Sequence, residues 1–433
     1  MKSNTIKFIL VFFTIVVSSS LGWSQCDGCN SQFVYMYNSE SYFMTLPSSI
    51  EYYECEETII NFSDCNQNDV QFLIELINEN ELDNSSSSLD INDGDDIFEP
   101  NEIGQQIWEN GRLIHLDIWG ERSYFYDYGD QLWSTREYNY NITSIPEIIS
   151  NLDQLKYLNI WNNPIISLSQ SFGQLNSLEY LWYGGDQSIN TIPESIWNLT
   201  NLKFLDISNT NITNITNGIN NLTKLEELVI EHNELLTTFP INITNILSLK
   251  KLKIYNNGMT GSVPSEIGNL TNLIYLYIID GMTGSIPSEI GNLTNLVDLH
   301  LMGNNLSGSI PIEIGSLVNL YNLGLGPNQL TGSIPSEIGN LTNLSWLFLG
   351  DNQLNGEVPE SLCDLNGNIY LGGNQLCPPY PSCFSPTDVG IQDLTNCDEI
   401  IIQCEDGYVE NDNFCYNQSD LNILQDIINS IEE

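Results

Sequence analysis

The chain has 433 residues, of which 56 are acidic and 11 are Lys or Arg, and its formal charge at pH 7 is −45. A surface this negative repels nucleic acid phosphates and anionic lipid headgroups, so both are excluded as expected partners. We expect the repulsion between these negative charges to keep the protein in solution.

The first 24 residues have the pattern of a secretory signal peptide. Lys2 and Lys7 precede an apolar run at residues 8–17, which is too short to span a bilayer. Gly22 and Ser24 are small residues at the spacing of a signal-peptidase cleavage site. We therefore expect residues 1–24 to be removed and the protein to be secreted or held at the cell surface, with no transmembrane segment after removal of the signal.

Residues 25–111 are predicted to form an N-terminal cysteine-containing region with a helical cap and an acidic linker. An amphipathic pattern at residues 69–78 predicts the helix. The stretch at residues 90–102 is rich in oxygen ligands but lacks the D-x-[DN]-x-[DN]-G spacing of a calcium loop. We interpret it as a solvated linker, with calcium binding as the alternative.

An aromatic insertion at residues 119–141 follows the first strand. Two strand-like arms surround Gly129 and Asp130, which is a hairpin signal. Its aromatic side chains either bind a ligand or cover the edge of the first strand.

A repeat of about 24 residues dominates the middle of the chain. Pro240, Pro264, Pro287, Pro311, Pro335 and Pro359 are separated by 24, 23, 24, 24 and 24 residues. Each unit reads L-x-x-L-x-x-L-x-L-x-x-N-x-L-x-G-x-I-P, in which L-x-L predicts a short strand and Asn a turn that ties one coil to the next. We expect Ser265 to cap a short helical turn and Gly268 to end it. One such coil buries too little apolar surface to be stable alone, so the copies must stack.

This template resembles the plant-type leucine-rich repeat of receptor-like ectodomains and polygalacturonase-inhibitor-like proteins. It covers residues 112–376. The resemblance implies an α/β solenoid, a right-handed horseshoe with a parallel sheet on its concave face and disulfide-stapled caps at both ends. Two departures predict a local irregularity in curvature: Thr210 replaces the turn Asn, and Gly281 falls near the Asn position of a coil one residue short.

The ends of the repeat are similar to the caps of this family. Residues 377–433 are predicted to form the C-terminal cap and a tail that duplicates the Cys-helix pattern of the N-terminal region, with a helix at residues 420–429. All ten cysteines follow the signal peptide and none lies in the middle of the repeats, as expected for disulfides in an exported protein. The predicted bonds are Cys55–Cys65, Cys404–Cys415 and Cys377–Cys383.

The side chains beside the inward Leu residues should point into solvent on the concave face, where exposed rings in rows indicate a binding surface. The candidate ligand-binding residues are Tyr157, Trp161, Tyr180, Trp182, Lys251, Lys253, Tyr255, Tyr275, Tyr277, His300, Trp346 and Phe348. The lysines of this set, with Lys250, either bind an anionic group or offset neighbouring carboxylates such as Glu226 and Glu227.

No catalytic or cofactor motif is present in the sequence. His115, His232 and His300 are scattered, and H-E-x-x-H, G-x-S-x-G and phosphate-loop patterns are absent. The sequence therefore predicts a non-enzymatic recognition protein, without cofactor or metal, that binds an extracellular protein or polysaccharide on its concave face. The alternatives are an inhibitor of a secreted polysaccharide hydrolase and a structural surface spacer.

Overall fold

The computed structural model describes residues 28–29, 65–80, 82, 105–109, 112–118, 141–397, 408–411 and 414–417. The signal peptide, the acidic stretch 90–102, nearly all of the aromatic insertion, Cys55, Cys404 and the predicted helix at 420–429 lie outside these residues. No helix of the described part is both long enough and apolar enough to cross a membrane.

The described chain is built from short strands that recur once or twice per coil. In chain order they are β1 (Gly28–Cys29), β2 (Gln105–Glu109), β3 (Arg112–Asp117), β4 (Tyr157–Asn159), β5 (Tyr180–Trp182), β6 (Phe204–Asp206), β7 (Glu227–Glu231), β8 (Lys251–Tyr255), β9 (Tyr275–Ile279), β10 (Thr283–Gly284), β11 (Asp298–His300), β12 (Asn305–Gly308), β13 (Asn322–Gly324), β14 (Gln329–Gly332), β15 (Trp346–Phe348), β16 (Gln353–Glu357), β17 (Asn368–Tyr370), β18 (Gln375–Cys377), β19 (Tyr408–Asn411) and β20 (Phe414–Asn417).

Two long sheets run across the coils. The main sheet has thirteen described strands in the order β1-β2-β3-β4-β5-β6-β7-β8-β9-β11-β13-β15-β17 and is parallel from β3 onward. A second, parallel sheet joins β10, β12, β14, β16 and β18, and β19 pairs with β20 in an antiparallel hairpin. This arrangement confirms the predicted leucine-rich repeat solenoid.

Each coil returns through a short 3-10 helix on the side away from the main sheet. These helices are Glu147–Asn151, Gln170–Gln174, Glu194–Asn198, Asn217–Asn221, Ile241–Asn245, Ser265–Asn269, Ser288–Asn292, Ile312–Ser316, Ser336–Asn340 and Glu360–Asp364. The α-helices of the described residues are α1 (Gln67–Glu79), which confirms the helix predicted at 69–78, and α2 (Pro386–Val389).

The repeated aliphatic residues form one continuous core between the main sheet and the 3-10 helices. In β8, for example, Leu252 and Ile254 are fully buried, whereas Lys253 and Tyr255 project to the other side of the sheet. The alternation of a strand therefore divides each coil into a core side and a concave surface.

A ladder of buried amides ties successive coils together, as the repeated Asn predicts. Asn328 donates through Nδ2 to the carbonyls of Leu301 and Leu325, 2.8 and 2.7 Å away, and its Oδ1 accepts from the Leu306 amide at 2.9 Å. Equivalent bonds are made by Asn163, Asn257, Asn304, Asn352 and Asn374, and by Gln392 at the C-terminal end.

Asp280, rather than Gly281, occupies the Asn position of the shorter coil. Its carboxylate accepts from the backbone amides of Asn257, at 2.9 Å, and Met259, at 3.2 Å. The two carboxylate oxygens thus continue the ladder as acceptors.

The roles expected for Ser265 and Gly268 are wrong. Residue Pro264 stands at the cap position without a side-chain hydrogen bond, and the Ser265 hydroxyl bonds to Glu266. A Cβ on Gly268 would lie 2.5 Å from the Glu289 carbonyl oxygen of the next coil. The glycine is therefore needed for close packing between coils and lies inside the 3-10 helix.

Helix α1 covers the N-terminal end of the core with Phe72, Leu73 and Leu76. Its buried Asp69 accepts hydrogen bonds from the Arg112 side chain and from the Leu113 amide. Strand β2, antiparallel to β3, adds a further N-terminal cover.

The predicted Cys377–Cys383 bond is wrong. The structure pairs Cys363 with Cys383 and Cys377 with Cys397, each across 20 residues, with Cα atoms 5.7 and 5.6 Å apart. Both bridges span roughly one coil, because residues one coil apart lie side by side in the stack, and so they staple the C-terminal cap. Cys65 is also disulfide-bonded, and its predicted partner Cys55 lies outside the described residues.

Candidate functional site: the concave face

Two rows of side chains cross the concave face of the main sheet, because the strands are paired in register. The first row is His115, Tyr157, Tyr180, Phe204, Glu227, Lys251, Tyr275, Asp298, Asn322, Trp346 and Asn368. The second row is Asp117, Asn159, Trp182, Asp206, Val229, Lys253, Tyr277, His300, Gly324, Phe348 and Tyr370.

The N-terminal part of the rows is a small apolar cluster, not an open surface. The rings of Tyr157 and Tyr180 stack at 4.6 Å, and those of Trp182 and Phe204 lie 4.7 Å apart. As a result Tyr180 and Phe204 are only 3% and 2% exposed. The expectation that Tyr180 faces solvent is wrong, because strands spaced by about 4.8 Å bring rings of one row to stacking distance.

Trp161 is also a packing residue and not a free ring. It is buried, and a Cβ on Gly184 or Gly185 of the next coil would come within 3.1 Å of its Cζ3 or 2.7 Å of its Nε1. The two glycines thus leave the space that the indole occupies.

The lysines differ in what surrounds them. Lys251 is buried beside Glu227, 3.7 Å away, and burial lowers its pKa while Glu227 opposes the shift. Lys250 pairs with Glu226 at 2.7 Å. For these two, the structure favours the hypothesis that they offset carboxylates. Among the described residues no carboxylate lies within ion-pair distance of Lys253, whose ammonium lies 5.9 Å from the Tyr277 ring centre.

Asp206, a member of the second row, is buried between Trp182 and Val229. Its carboxylate accepts from the Ser208 amide at 3.0 Å and from the Ser208 hydroxyl at 2.6 Å. Burial raises the pKa of Asp206 to about 7, and the negative charge of Glu231 adds to the shift.

His300 stacks on Tyr277, with ring centres 5.0 Å apart, and is buried. Its Nδ1 and the Met302 Cε lie 3.0 and 2.8 Å from where a Cβ on Gly324 would be, so both side chains close over this glycine. Burial lowers the pKa of His300, which favours the neutral ring. The expected solvent-facing His300 is therefore wrong.

The C-terminal part of the rows holds three rings with nearly parallel planes. Phe348 and Tyr370 stack at 4.8 Å with an angle of 2°, and the Trp346 plane lies within 3° of both. Trp346 and Phe348 are half-buried, whereas Tyr370 is 45% exposed. The sequence-based list omits Tyr370, although Asn368-Ile369-Tyr370 continues the strand pattern.

Of the remaining candidates, Tyr275 is 36% exposed, and Tyr157, Trp182, Lys253, Tyr255 and Tyr277 are half-buried. Within the described part of the chain, no three His, Cys, Asp or Glu side chains are grouped closely enough to hold a metal ion. The concave face thus offers aromatic surface and one cation without a carboxylate partner.

Family models for leucine-rich repeats match several segments of the chain. The model described as "Leucine-rich repeat region" matches residues 137–238, and the one described as "Leucine Rich Repeat" matches residues 248–270, 295–317 and 343–365. A comparison with curated proteins finds no match.

Several solved structures of plant proteins are similar to this chain. The Arabidopsis receptor kinase HAESA, in complex with the peptide hormone IDA and the co-receptor SERK1, is 28% identical with a TM-score of 0.56, covering 70% of this chain and 50% of that one. The plant peptide hormone receptor RGFR1, in complex with RGF2, is 30% identical with a TM-score of 0.49, covering 57% and 40%. A plant ice-binding protein is 20% identical with a TM-score of 0.49, covering 76% and 94%.

This chain spans half the length of the HAESA chain that it matches. The repeat motif, the stacked coils with their amide ladder and the matches to family models and to HAESA agree with one another. The repeats of this chain are leucine-rich repeats of the plant type, and the chain is similar to plant receptors such as HAESA.

Proposed function

We propose that this protein is a recognition protein, secreted or held at the cell surface, that binds an extracellular ligand on its concave face and performs no chemistry of its own. The observation that carries the proposal is the exposure of aromatic rings on that face. Tyr275 and Tyr370 keep 36% and 45% of their surface exposed, while Leu276, between Tyr275 and Tyr277, is fully buried. Rings left open to water in rows provide a large contact area for a partner.

The likeness to HAESA, which was solved with a peptide hormone and a co-receptor, supports ligand binding as the role of this scaffold. The charge of the protein restricts the classes of ligand that we expect to bind. The formal charge of −45 repels polyanions. Of the two lysines in the described rows, Lys251 has a carboxylate neighbour and Lys253 has none within ion-pair distance. The alternatives, a hydrolase inhibitor and a structural spacer, become outcomes of the experiment below.

The test is a binding screen of the purified full chain against a glycan array and a panel of secreted and surface proteins. The double variant Tyr275→Ala, Trp346→Ala removes one ring from β9 and one from β15, both in the first row of the concave face. The matched control is Tyr321→Ala, which removes a 49% exposed ring outside the two rows. Melting temperatures show whether each variant is folded.

We expect at least one ligand that the wild type and the control bind and that the double variant loses. A ligand retained by the folded double variant, or the absence of any ligand, would overturn the proposal, and the second result would favour a spacer. Added to polysaccharide-degrading enzymes, the protein should leave their rates unchanged, and a concentration-dependent inhibition would favour the inhibitor.

A further inference from the structure

The three parallel rings at the C-terminal end of the rows, with the amides beside them, form a distinct patch. We call this patch the aromatic platform, and it consists of Asn322, Trp346, Phe348, Asn368 and Tyr370. Asn322 and Asn368 are the register neighbours of Trp346 on its two sides. The indole therefore lies between two amide side chains of its own row.

The stacking distances indicate which face of the Tyr370 ring is exposed to solvent. Parallel rings with centres 4.8 Å apart, such as Phe348 and Tyr370, overlap face to face in an offset stack. One face of Tyr370 is thus covered by Phe348, and β17 is the last strand of the main sheet among the described residues. Since Tyr370 is still 45% exposed, its other face is the open one.

The residue that follows Tyr370 in the stack of coils is Asp388. The Leu371 amide donates to the Asp388 carbonyl, just as the Leu349 amide donates to the carbonyl of Tyr370. The Asp388 carboxylate is held by the Ser385 amide and hydroxyl, at 2.8 and 2.6 Å. The Asp388 backbone thus continues the position of Tyr370 by one coil, and its carboxylate is bonded to Ser385.

The platform is uncharged, in contrast to the chain that carries it. The neighbours of its rings within the two rows are the amides of Asn322 and Asn368 and the glycine Gly324. The Asn322 amide donates to Asp298, one coil away, which holds it in place. A polyanion is repelled by the formal charge of −45. The carboxylates next to the platform, Asp298 and Asp388, are already bonded to Asn322 and Ser385, so the rings themselves fit a neutral ligand.

We propose that the aromatic platform is a subsite for a neutral polysaccharide, in which a pyranose ring lies against the open face of Tyr370 and its hydroxyls bond to the Asn368 amide on the same strand. Flat rings suit the C–H face of a sugar, and planar amides both donate to and accept from hydroxyls. The ring planes agree within 3°, so this surface is already ordered before the ligand arrives. The inference rests on the proposed function and names the class of ligand.

A matched pair of variants separates a stacking ring from a merely apolar contact. Tyr370→Phe keeps the flat face, whereas Tyr370→Leu keeps an apolar side chain and loses the face. The probes are a soluble neutral β-glucan, a galactomannan, polygalacturonate as a polyanion and an arginine-rich peptide. Binding of the full chain is measured by calorimetry, with melting temperatures as the folding control.

We expect a neutral polysaccharide to bind, Tyr370→Phe to change its affinity by less than about twofold, and Tyr370→Leu to weaken it by about tenfold. Asn368→Leu should weaken it as well. Equal affinity in the two Tyr370 variants, or selective binding of polygalacturonate or the peptide, overturns the inference.

The two proposals fail separately. A ligand that is lost in Tyr275→Ala, Trp346→Ala but unaffected by Tyr370→Leu would leave the concave face as the binding surface and remove the Tyr370 subsite. A ligand that no variant affects would remove both.

Discussion

Asp69 accepts hydrogen bonds from Nε and Nη2 of Arg112, at 3.0 and 3.1 Å, although the two residues are 43 positions apart. The Asp69 side chain is fully buried, and that of Arg112 is 23% exposed. Burial raises the pKa of Asp69, and the arginine opposes this shift. The pair therefore fastens helix α1 to the first strand of the solenoid.

We expect Arg112→Met to lower the free energy of unfolding by about 3 kcal/mol, because it leaves a buried carboxylate without its cation. Urea unfolding measures this loss. The control Lys250→Met breaks the exposed pair with Glu226 and should cost less than about 1 kcal/mol. Equal losses in the two variants would mean that the cap is not held by this ion pair.

The amide ladder predicts a large difference between two asparagines of neighbouring coils. Asn328→Leu leaves the Leu306 amide without its acceptor. It also removes one of the two side-chain donors to each of the Leu301 and Leu325 carbonyls, which keep Asn304 and Asn352. We expect it to cost about 2 kcal/mol. Asn343→Leu removes one exposed bond, to the Val318 carbonyl, and should cost less than about 1 kcal/mol. Urea unfolding gives both values, and hydrogen exchange at the Leu306 amide should accelerate only in Asn328→Leu.

Asp206 predicts a pH dependence with a defined sign. Its pKa is raised from 3.8 to about 7, first by burial and then by Glu231, so between these values the folded state holds a proton that the unfolded state has lost. The stabilisation is complete below pH 4 and disappears as the pH rises through 7.

We therefore expect the wild type to lose melting temperature from pH 4 to pH 7 relative to Asp206→Asn, whose side-chain oxygen still accepts from Ser208. The control Thr271→Ser changes an exposed side chain and leaves every titrating group in place, so its curve should run parallel to the wild type. Parallel curves for wild type and Asp206→Asn would contradict the raised pKa.

The cysteine pairing can be tested with single substitutions. In Cys363→Ser the newly free thiol should be Cys383, and in Cys377→Ser it should be Cys397. Alkylation of the native protein followed by mass spectrometry identifies the labelled residue. Labelling of Cys383 in Cys377→Ser would instead support the pairing that the sequence first suggests.

The fold is predictable from the sequence because its causes lie within one repeat. The spacing of residues such as Leu252 and Ile254 indicates strands and their buried side, and the recurring Asn indicates the ladder. Gly268 is harder to interpret, since its reason is a carbonyl in the following coil, 21 residues further along the chain.

The candidate site is less predictable, because exposure on the concave face depends on neighbours in both adjacent coils. Tyr180 and Tyr275 occupy equivalent positions, yet stacking on Tyr157 helps to bury the first while the second remains exposed. Aligning the coils below one another would have suggested this cluster and would have added Tyr370. The cysteine partners depend on how the C-terminal cap folds, which spacing alone does not determine.

A ladder asparagine such as Asn328 supplies both sides of the contact between two coils. Its amide group donates to carbonyls of its own and the preceding coil, and its oxygen accepts from the preceding coil. A whole repeat can therefore be inserted or deleted, and the coils on either side of it still form the same contacts with each other. The identical stretches at residues 283–296 and 331–344 are units of this kind. The length of the concave face thus changes in steps of one coil. Duplication or loss of repeats during evolution can lengthen or shorten this face while both caps stay the same.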